Sequence, residues 1–309
     1  MTRWIVRAAV SVTAAAILLS VVPIDTVIDA IGRITLGAWM ASLGVFFGGH
    51  YLNALKLRWL LGQPSPRVRT CVQAQYAGLV ANLGLPGLAG GDLVRAAYLA
   101  PAAGARRVAI ASVADRILDT LTLVALVAIA LPIAGAPPAI VGMVPRAGWW
   151  IAAAAALCAL VVVVAVLTRT QPGMSGRLTH AWRDITARRS AVAGAVAISI
   201  VVQSAFVLTN AWLAREAGVA TGLAAWFVAW PLSKLVAVLP ISLGGIGVRE
   251  AALVSLMAPY GAPPDAVLGS GILWQTVLAV SGLAGLIVSQ CWRRRATTSG
   301  SVTPPQGGG

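Results

Sequence analysis

Eight charged side chains lie in stretches of the sequence that are otherwise strongly apolar. Four are basic and four are acidic: Arg95, Arg116, Lys234, Arg249, Asp92, Asp115, Asp119 and Glu250. One such charge in the middle of a membrane helix costs about 2.5–3.5 kcal/mol on insertion scales, so a group of them needs a physical reason. Either the charges pair and cancel one another, or the cluster also contacts a polar ligand.

The spacing of the charges fits pairing. Three pairs are close enough along a helix to interact: Asp92 with Arg95, Arg116 with Asp119, and Arg249 with the adjoining Glu250. Oppositely charged residues three positions apart lie on the same face of a helix. Pairing alone predicts a structural cluster, so a binding function depends on further features around the arginines.

Two of the arginines follow a motif that occurs twice. Residues 85–99 read LPGLAGGDLVRAAYL, and 154 residues later residues 239–253 read LPISLGGIGVREAAL, with eight of fifteen positions identical. In each copy a proline ends one helix, a glycine pair lets the backbone turn, and a new helix starts before the arginine. Gly/Pro-interrupted segments at matching places in two halves are typical of transporter binding sites.

A helix that starts at a glycine pair suits an anion. Gly90–Gly91 and Gly244–Gly245 would leave backbone N–H groups and the positive end of the helix dipole directed into the core. An arginine about one turn later adds a two-pronged donor, and phosphate is the anion that matches this arrangement best. Asp92 and Ser242 compete with a ligand here, because either side chain can cap those N–H groups.

The composition identifies the class of protein that holds these residues. Of 309 residues, 59% are hydrophobic and 10% charged, and the mean hydropathy is +0.86, which excludes a soluble globule. The net charge of +14 comes from short basic runs between apolar stretches, as in cytoplasmic loops, and not from a nucleic-acid-binding patch. Three widely separated cysteines predict neither disulfides nor a metal site, and no cofactor is expected.

The apolar pattern predicts an all-α polytopic membrane protein with one transmembrane domain over residues 1–292 and a disordered cytoplasmic tail over 293–309. About six full spans are expected: 4–22, 36–55, 108–132, 148–168, 190–213 and 267–290. Residues 23–35 are expected to be a polar connection, and Lys56 to begin a basic loop. Two broken elements, at about 72–100 and 222–258, have arms too short to cross a bilayer and are interpreted as re-entrant hairpins.

The order of these elements predicts an inverted repeat. With both termini cytoplasmic, sixteen Lys/Arg fall inside and three outside, which satisfies the positive-inside rule for a multi-pass protein of the cell membrane. Three full spans then separate the broken elements, which therefore enter from opposite sides. The halves, about 1–135 and 146–292, would be one four-element unit used twice.

Three motifs, in this order and spacing, resemble a known family: PGLAGGDLVR at 86–95, ASVADRILD at 111–119 and PISLGGIGVRE at 240–250. They are similar to the flippase-like membrane family typified by the transmembrane half of lysylphosphatidylglycerol synthase, the multiple peptide resistance factor. The resemblance implies an inverted-repeat fold that moves phospholipids or lipid-linked intermediates between leaflets. The positions it carries over are Gly90, Gly91, Asp92, Arg95, Asp115, Arg116, Gly244, Gly245, Arg249 and Glu250.

Other functions stay open at this point. The bifunctional members of that family continue into an aminoacyl-transferase domain, whereas this sequence continues only into a short tail, so lysine transfer is not expected. An intramembrane lipid-phosphate enzyme would need a nucleophile–base pair or metal ligands, and only Asp115 and Asp119 offer acid–base chemistry. A third alternative is a non-transporting subunit that anchors a separate cell-envelope synthase. Besides an anionic lipid, a synthase or a second copy of the chain are the candidate partners.

Two secondary predictions concern polar residues and packing. Gly44 and Gly48 form a G-x-x-x-G motif that would allow a close helix contact. His50 is interpreted as a hydrogen-bonded core residue. Amide side chains are expected to join neighbouring helices by hydrogen bonds: Gln73, Gln75, Asn82, Gln203, Asn210 and Gln275.

Overall fold

The computed structural model describes residues 22–84, 89–135, 189–238 and 247–298. Apart from a 3-10 turn at Ala258–Tyr260, the regular elements in these ranges are α-helices: α1 Ile24–Arg33, α2 Leu36–Leu61, α3 Val68–Gly84, α4 Ala89–Ala103, α5 Ala105–Ala134, α6 Arg189–Glu216, α7 Leu223–Val238, α8 Val248–Met257 and α9 Pro264–Thr298. Three of them are long and apolar enough to cross a membrane, and α1 with α2 adds a fourth if the bent pair is one span. The all-α polytopic membrane fold is therefore confirmed.

Several expectations lie outside the described residues. These are the predicted spans at 4–22 and 148–168 apart from Val22, the Gly244–Gly245 pair, and the tail beyond residue 298. The last helix, α9, runs on to Thr298, six residues into the stretch expected to be a disordered tail.

The segment 23–35 is not the polar connection that the sequence suggested. Residues Ile24–Arg33 form α1, whose apolar residues recur every three or four positions, so that Val27 and Ala30 are buried against α9. The helix axis turns by 81° into α2. Thr35 fixes the corner: its hydroxyl accepts a bond from the backbone N–H of Ala38 and donates one of 2.9 Å to Glu216 at the end of α6.

Helices α2 and α6 lie side by side in antiparallel directions. Thr35 bonds Glu216 at one end, Lys56 lies 3.1 Å from the Ser199 hydroxyl further along, and the Trp59 ring covers Gly194 near the other end. Each helix is longer than the roughly 20 residues needed to cross the hydrocarbon core. The pair is therefore long enough to cross a membrane and forms an axis against which α3, α5, α7 and α9 pack.

The helix bounds repeat along the chain at the interval of the sequence motif. Adding 154 to the ends of α2 gives 190–215, and α6 covers Arg189–Glu216; the same shift carries α3 onto 222–238, and α7 covers Leu223–Val238. The packing repeats too, because α3 contacts α4 and α9, and α7 contacts α8 and α5. In each half, the first arm of the broken element (α3 or α7) thus packs against the second arm (α4 or α8). It also packs against a long helix of the other half, α9 or α5.

Candidate functional site

Lys56 is a site residue that the sequence analysis placed wrongly, in a basic loop. Helix α2 continues to Leu61 and carries Lys56 into the core, where none of its side chain is exposed. Its ammonium lies 2.8 Å from Asp115 and 2.6 Å from Asp119 on α5. Apolar residues at helical spacing after Lys56 are the signal that the helix does not stop there.

Arg95 on α4 was expected to pair with Asp92, and it does, at 3.4 Å. Its shorter ion pair is with Asp115, at 3.0 Å, and a second nitrogen donates a bond of 3.1 Å to Gln75 on α3. The Nε atom is buried without a partner in the described parts of the chain. Arg95 therefore links α3, α4 and α5 but keeps one donor without a partner among the described residues.

Arg116 does not form the predicted pair with Asp119. It is turned about 100° from Asp115 around α5 and reaches α4, where it makes two bonds of 2.7 and 2.6 Å to Asp92. Asp119 is instead held by Lys56. The side chain of Arg116 is 46% exposed, which makes it the most accessible arginine among these ion pairs.

In the second half of the protein, Arg249 and Glu250 pair as expected. The guanidinium of Arg249 lies 2.6 Å from the carboxylate, and its carbon lies 5.1 Å from the ring centre of Trp230. Gln275 on α9 donates a further bond of 3.0 Å to Glu250. The ring and the carboxylate hold the arginine against the middle of α7, the helix that also carries Lys234.

Lys234 differs from the other buried cations described above, because within the described ranges it has an amide partner but no carboxylate partner. Its ammonium donates a 2.8 Å bond to Gln203 on α6, and no carboxylate lies within ion-pair distance of it in the described ranges. It is within electrostatic range of Asp119, Arg116 and Lys56 from the first half and of Arg249 from the second. The two groups of charges therefore meet at Lys234.

The central charge cluster consists of Lys56, Asp92, Arg95, Asp115, Arg116, Asp119, Lys234, Arg249 and Glu250. His50, near the middle of α2, borders it. The ring packs on Phe46 with centres 4.2 Å apart, and Nδ1 lies 3.0 Å from the Gln75 amide, which is consistent with the predicted hydrogen-bonded core role. Because His50 and Gln203 both lie near the middles of their long helices, the Lys234 part of the cluster is close to the middle of the α2–α6 pair, whereas Lys56 lies nearer the C-terminal end of α2.

Some backbone N–H groups at the starts of α4 and α8, the helices associated with the two glycine pairs, already donate hydrogen bonds to the protein's own side chains. The N–H of Gly91 donates to the Asn82 amide at 2.8 Å, so Asn82 takes the capping role that the sequence suggested for Asp92. Helix α8 begins at Val248, later than expected, and the N–H of Gly247 donates to Glu250 at 2.8 Å. Free N–H groups at these helix starts are therefore fewer than the motif alone indicates.

Most of the predicted amide bridges are present. Gln75 and Asn82 join α3 to α4, Gln203 joins α6 to α7, and Gln275 joins α9 to α8. Asn210 instead bonds the Phe206 carbonyl in its own helix, so that prediction was wrong.

Close backbone contact explains why position 91 is a glycine, but it does not explain the glycines of the G-x-x-x-G motif. A Cβ on Gly91 would collide with the Asn82 side chain and the Gly78 carbonyl oxygen, so the arms of the first broken element touch there. Nothing lies within 4 Å of a Cβ on Gly44 or Gly48. The latter pair makes no close helix contact within the described chain.

Gly91→Ala is therefore expected to lower stability by about 1–3 kcal/mol through overpacking. Gly44→Ala is the matched control, because it adds the same methyl group in open space. The comparison is made by thermal unfolding of the two purified variants in detergent. Equal unfolding temperatures would contradict the tight contact between α3 and α4.

The fold and the buried charges define a polytopic helical membrane protein with a polar centre. A family model described as the lysylphosphatidylglycerol synthase transmembrane region matches residues 4–285. The chain belongs to this family, and the match confirms the resemblance inferred from the three motifs. No curated protein matches the chain. Within the described residues, no group of three His, Cys, Asp or Glu side chains is placed to hold a metal ion.

Proposed function

We propose that this protein moves an anionic phospholipid or a lipid-linked phosphate across the cell membrane, and that the headgroup binds in the central charge cluster. Membership of a family of lipid-related membrane domains supports this role. The proposal makes the protein a carrier and not an enzyme. Its termini would face the cytoplasm, as the distribution of basic residues predicts.

One observation carries the proposal: Lys234 has an amide but no carboxylate as its partner in the described ranges. The described members of the cluster include five cations and four carboxylates, so they sum to one positive charge. An unpaired charge in a membrane interior is costly and marks a substrate or ion pathway. An anionic headgroup supplies the missing counter-ion.

The partly exposed Arg116 is the second cation available to the headgroup. Arg95 and Arg249 already hold carboxylates, at 3.0 and 2.6 Å, so a phosphate would reach them only by displacing those partners. We therefore assign the first contact to Lys234 and Arg116, with the two motif arginines joining when their ion pairs open. This assignment changes the emphasis of the sequence analysis, which gave the first contact to Arg95 and Arg249.

The packing of α2 against α6 supports an inverted repeat. These helices correspond to one another at the repeat interval, and they lie antiparallel. A two-fold axis that exchanges two antiparallel helices runs perpendicular to both of them, and thus in the membrane plane. Such an axis gives both leaflets equivalent routes to one central site, as alternating access requires.

The direct test is lipid movement by the purified protein in liposomes, using fluorescent lipids with defined headgroups. We expect the protein to accelerate exchange of anionic phospholipids more than of zwitterionic ones. Folded, inserted protein that moves no lipid would contradict translocation and favour the role of a subunit for a separate synthase. Release of free phosphate or a headgroup would favour the enzyme.

A double-mutant cycle on Arg249 and Glu250 tests whether this arginine serves more than its ion pair. Arg249→Gln alone strands a buried carboxylate and is expected to reduce both stability and transport. Arg249→Gln with Glu250→Gln is expected to restore stability but not transport. Both quantities are measured for all four proteins. Full recovery of transport in the double mutant would leave Arg249 as a structural residue only.

A further inference from the structure

We infer that two arginine-lined pockets, at opposite ends of the α2–α6 pair, hold the lipid headgroup phosphate in the two leaflets before and after it crosses. The inference rests on the proposed function and adds the sites of entry and exit. The first pocket has a volume of about 620 Å³ and is lined by Arg58, Trp59, Gln63, Ser65 and Ser190, among others. The second, of about 410 Å³, is lined by Arg215, Gly218, Val219, Ala220 and Thr221.

The two pockets occupy equivalent places in the repeat. Each is formed by the C-terminal end of a long helix and the loop that follows it. A shift of 154 residues carries Leu61 and Ser65 of the first pocket onto Arg215 and Val219 of the second. A feature found at both equivalent positions is better explained by a shared function than by irregular packing of one loop.

The length of α6 places the pockets at headgroup level. Its 28 residues correspond to about 42 Å of helix, which is close to the roughly 40–45 Å thickness of a bilayer with its headgroup regions. The first pocket lies at the Ser190 end of α6, and the second lies at the Arg215 end. An antiparallel helix pair that spans the membrane therefore presents one pocket to each leaflet.

Both pockets offer unused guanidinium groups. Arg58 is anchored through Nε, which donates a 2.9 Å bond to the Pro66 carbonyl, and its terminal nitrogens have no hydrogen-bond partner in the described residues. The guanidinium of Arg215 is exposed and has no partner in the same ranges, and that of Arg33 approaches Gly218 beside it. A guanidinium with free terminal donors binds phosphate through two parallel hydrogen bonds.

The loops that line the pockets are held in place before any ligand arrives. Arg107 donates bonds of 2.6 and 3.0 Å to the carbonyls of Leu61 and Gln63 in the first loop. In the second, the N–H of Val219 bonds the Ala214 carbonyl at 2.9 Å, and Gly218 adopts a φ of 107° that closes the turn. Preformed loops reduce the ordering cost of binding a headgroup.

The test uses the full-length protein with its three native cysteines replaced, in vesicles of phosphatidylcholine. A bimane fluorophore is attached to the Ser65→Cys variant as the first-pocket reporter, or to the Ala220→Cys variant as the second-pocket reporter. The quencher is phosphatidylglycerol with a nitroxide high on its acyl chain. Diacylglycerol with the same nitroxide is the matched lipid, because it lacks only the phosphate-containing headgroup.

Arg58→Gln is expected to weaken quenching of the first-pocket reporter by phosphatidylglycerol about tenfold in apparent affinity, the loss typical of one charge-assisted hydrogen bond. Quenching by diacylglycerol should stay unchanged. Arg215→Gln should have the same effect on the second-pocket reporter only, so each variant is the control for the other. Ser190→Ala leaves the Arg58–Pro66 bond intact, so it should not disturb the loop. It should still weaken the quenching of the first-pocket reporter by phosphatidylglycerol.

An effect of Arg58→Gln no larger than that of Arg69→Gln, which removes a nearby arginine that does not line the pocket, would overturn the inference. Equal effects on both lipids would do so as well. Lipid movement is measured in the same vesicles. If the protein moves lipid but the arginine substitutions do not change the quenching of the reporters, only the pocket inference is refuted. If the substitutions change the quenching but the protein moves no lipid, the translocation proposal is refuted and the pocket inference stands.

Discussion

Replacing Lys234 with methionine is expected to reduce lipid movement by roughly 10- to 100-fold, the loss that corresponds to a charged hydrogen bond of about 1.5–3 kcal/mol. Stability should stay the same or rise, because the substitution removes a cation that has no carboxylate partner in the described chain. Initial rates in liposomes and unfolding temperatures in detergent are the two measurements.

Lys234→Arg is the matched control. It retains the charge near Gln203 and is expected to keep a substantial part of the transport rate, because a phosphate needs a cation there more than it needs one geometry. Full activity of Lys234→Met would exclude Lys234 from the headgroup site. A large loss of stability in that variant would show that the lysine has a structural partner instead.

Replacing Lys56 with methionine is expected to lower stability strongly and to affect transport only through the loss of folded protein. The substitution leaves the half-buried Asp119 and the buried Asp115 without the ammonium that they share, and breaking a buried ion pair in this way costs about 3–5 kcal/mol. The expected result is a strong fall in the unfolding temperature and in the yield of inserted protein. Any loss of transport should follow the loss of folded protein.

Lys56→Met combined with Asp119→Asn is the rescue variant. Asp115 still has Arg95 at 3.0 Å, so removing the Asp119 charge should recover a large part of the stability. Arg106→Gln, at an exposed position near the start of α5, is a control for the loss of one positive charge. If Lys56→Met were no less stable than Arg106→Gln, the buried position of Lys56 would be contradicted.

Local sequence signals predicted most of the described helices and two of the three ion pairs expected between near neighbours in the sequence. The Pro/Gly motifs located both broken elements, and the spacing of Asp92 with Arg95 and of Arg249 with Glu250 gave ion pairs that are present. These features depend on residues close together in the chain. Helical geometry alone is enough to predict them.

The contacts that the sequence did not reveal join distant segments. Lys56 reaches Asp115 and Asp119 from a helix about sixty residues away, and a basic residue at the end of an apolar run is read as the start of a loop. Arg116 pairs with Asp92, and not with the residue three positions along its own helix, because Lys56 already holds Asp119. Which carboxylate a cation pairs with depends on how the helices pack, and the spacing of residues along the sequence does not reveal that packing.

If the proposed translocation takes place, the charge of Lys234, which has no carboxylate partner in the described residues, would make it sensitive to membrane voltage. A headgroup with one negative charge would bring the described cluster from one positive charge to neutrality, so the empty and occupied forms would differ in charge. Each elementary charge moved through the membrane field changes the free energy by about 2.3 kcal/mol per 100 mV. A conformational change that carries the empty cluster across the field is therefore electrogenic, whereas the same change with lipid bound is electrically silent. The membrane potential would then bias the direction of net lipid flow without any coupling ion.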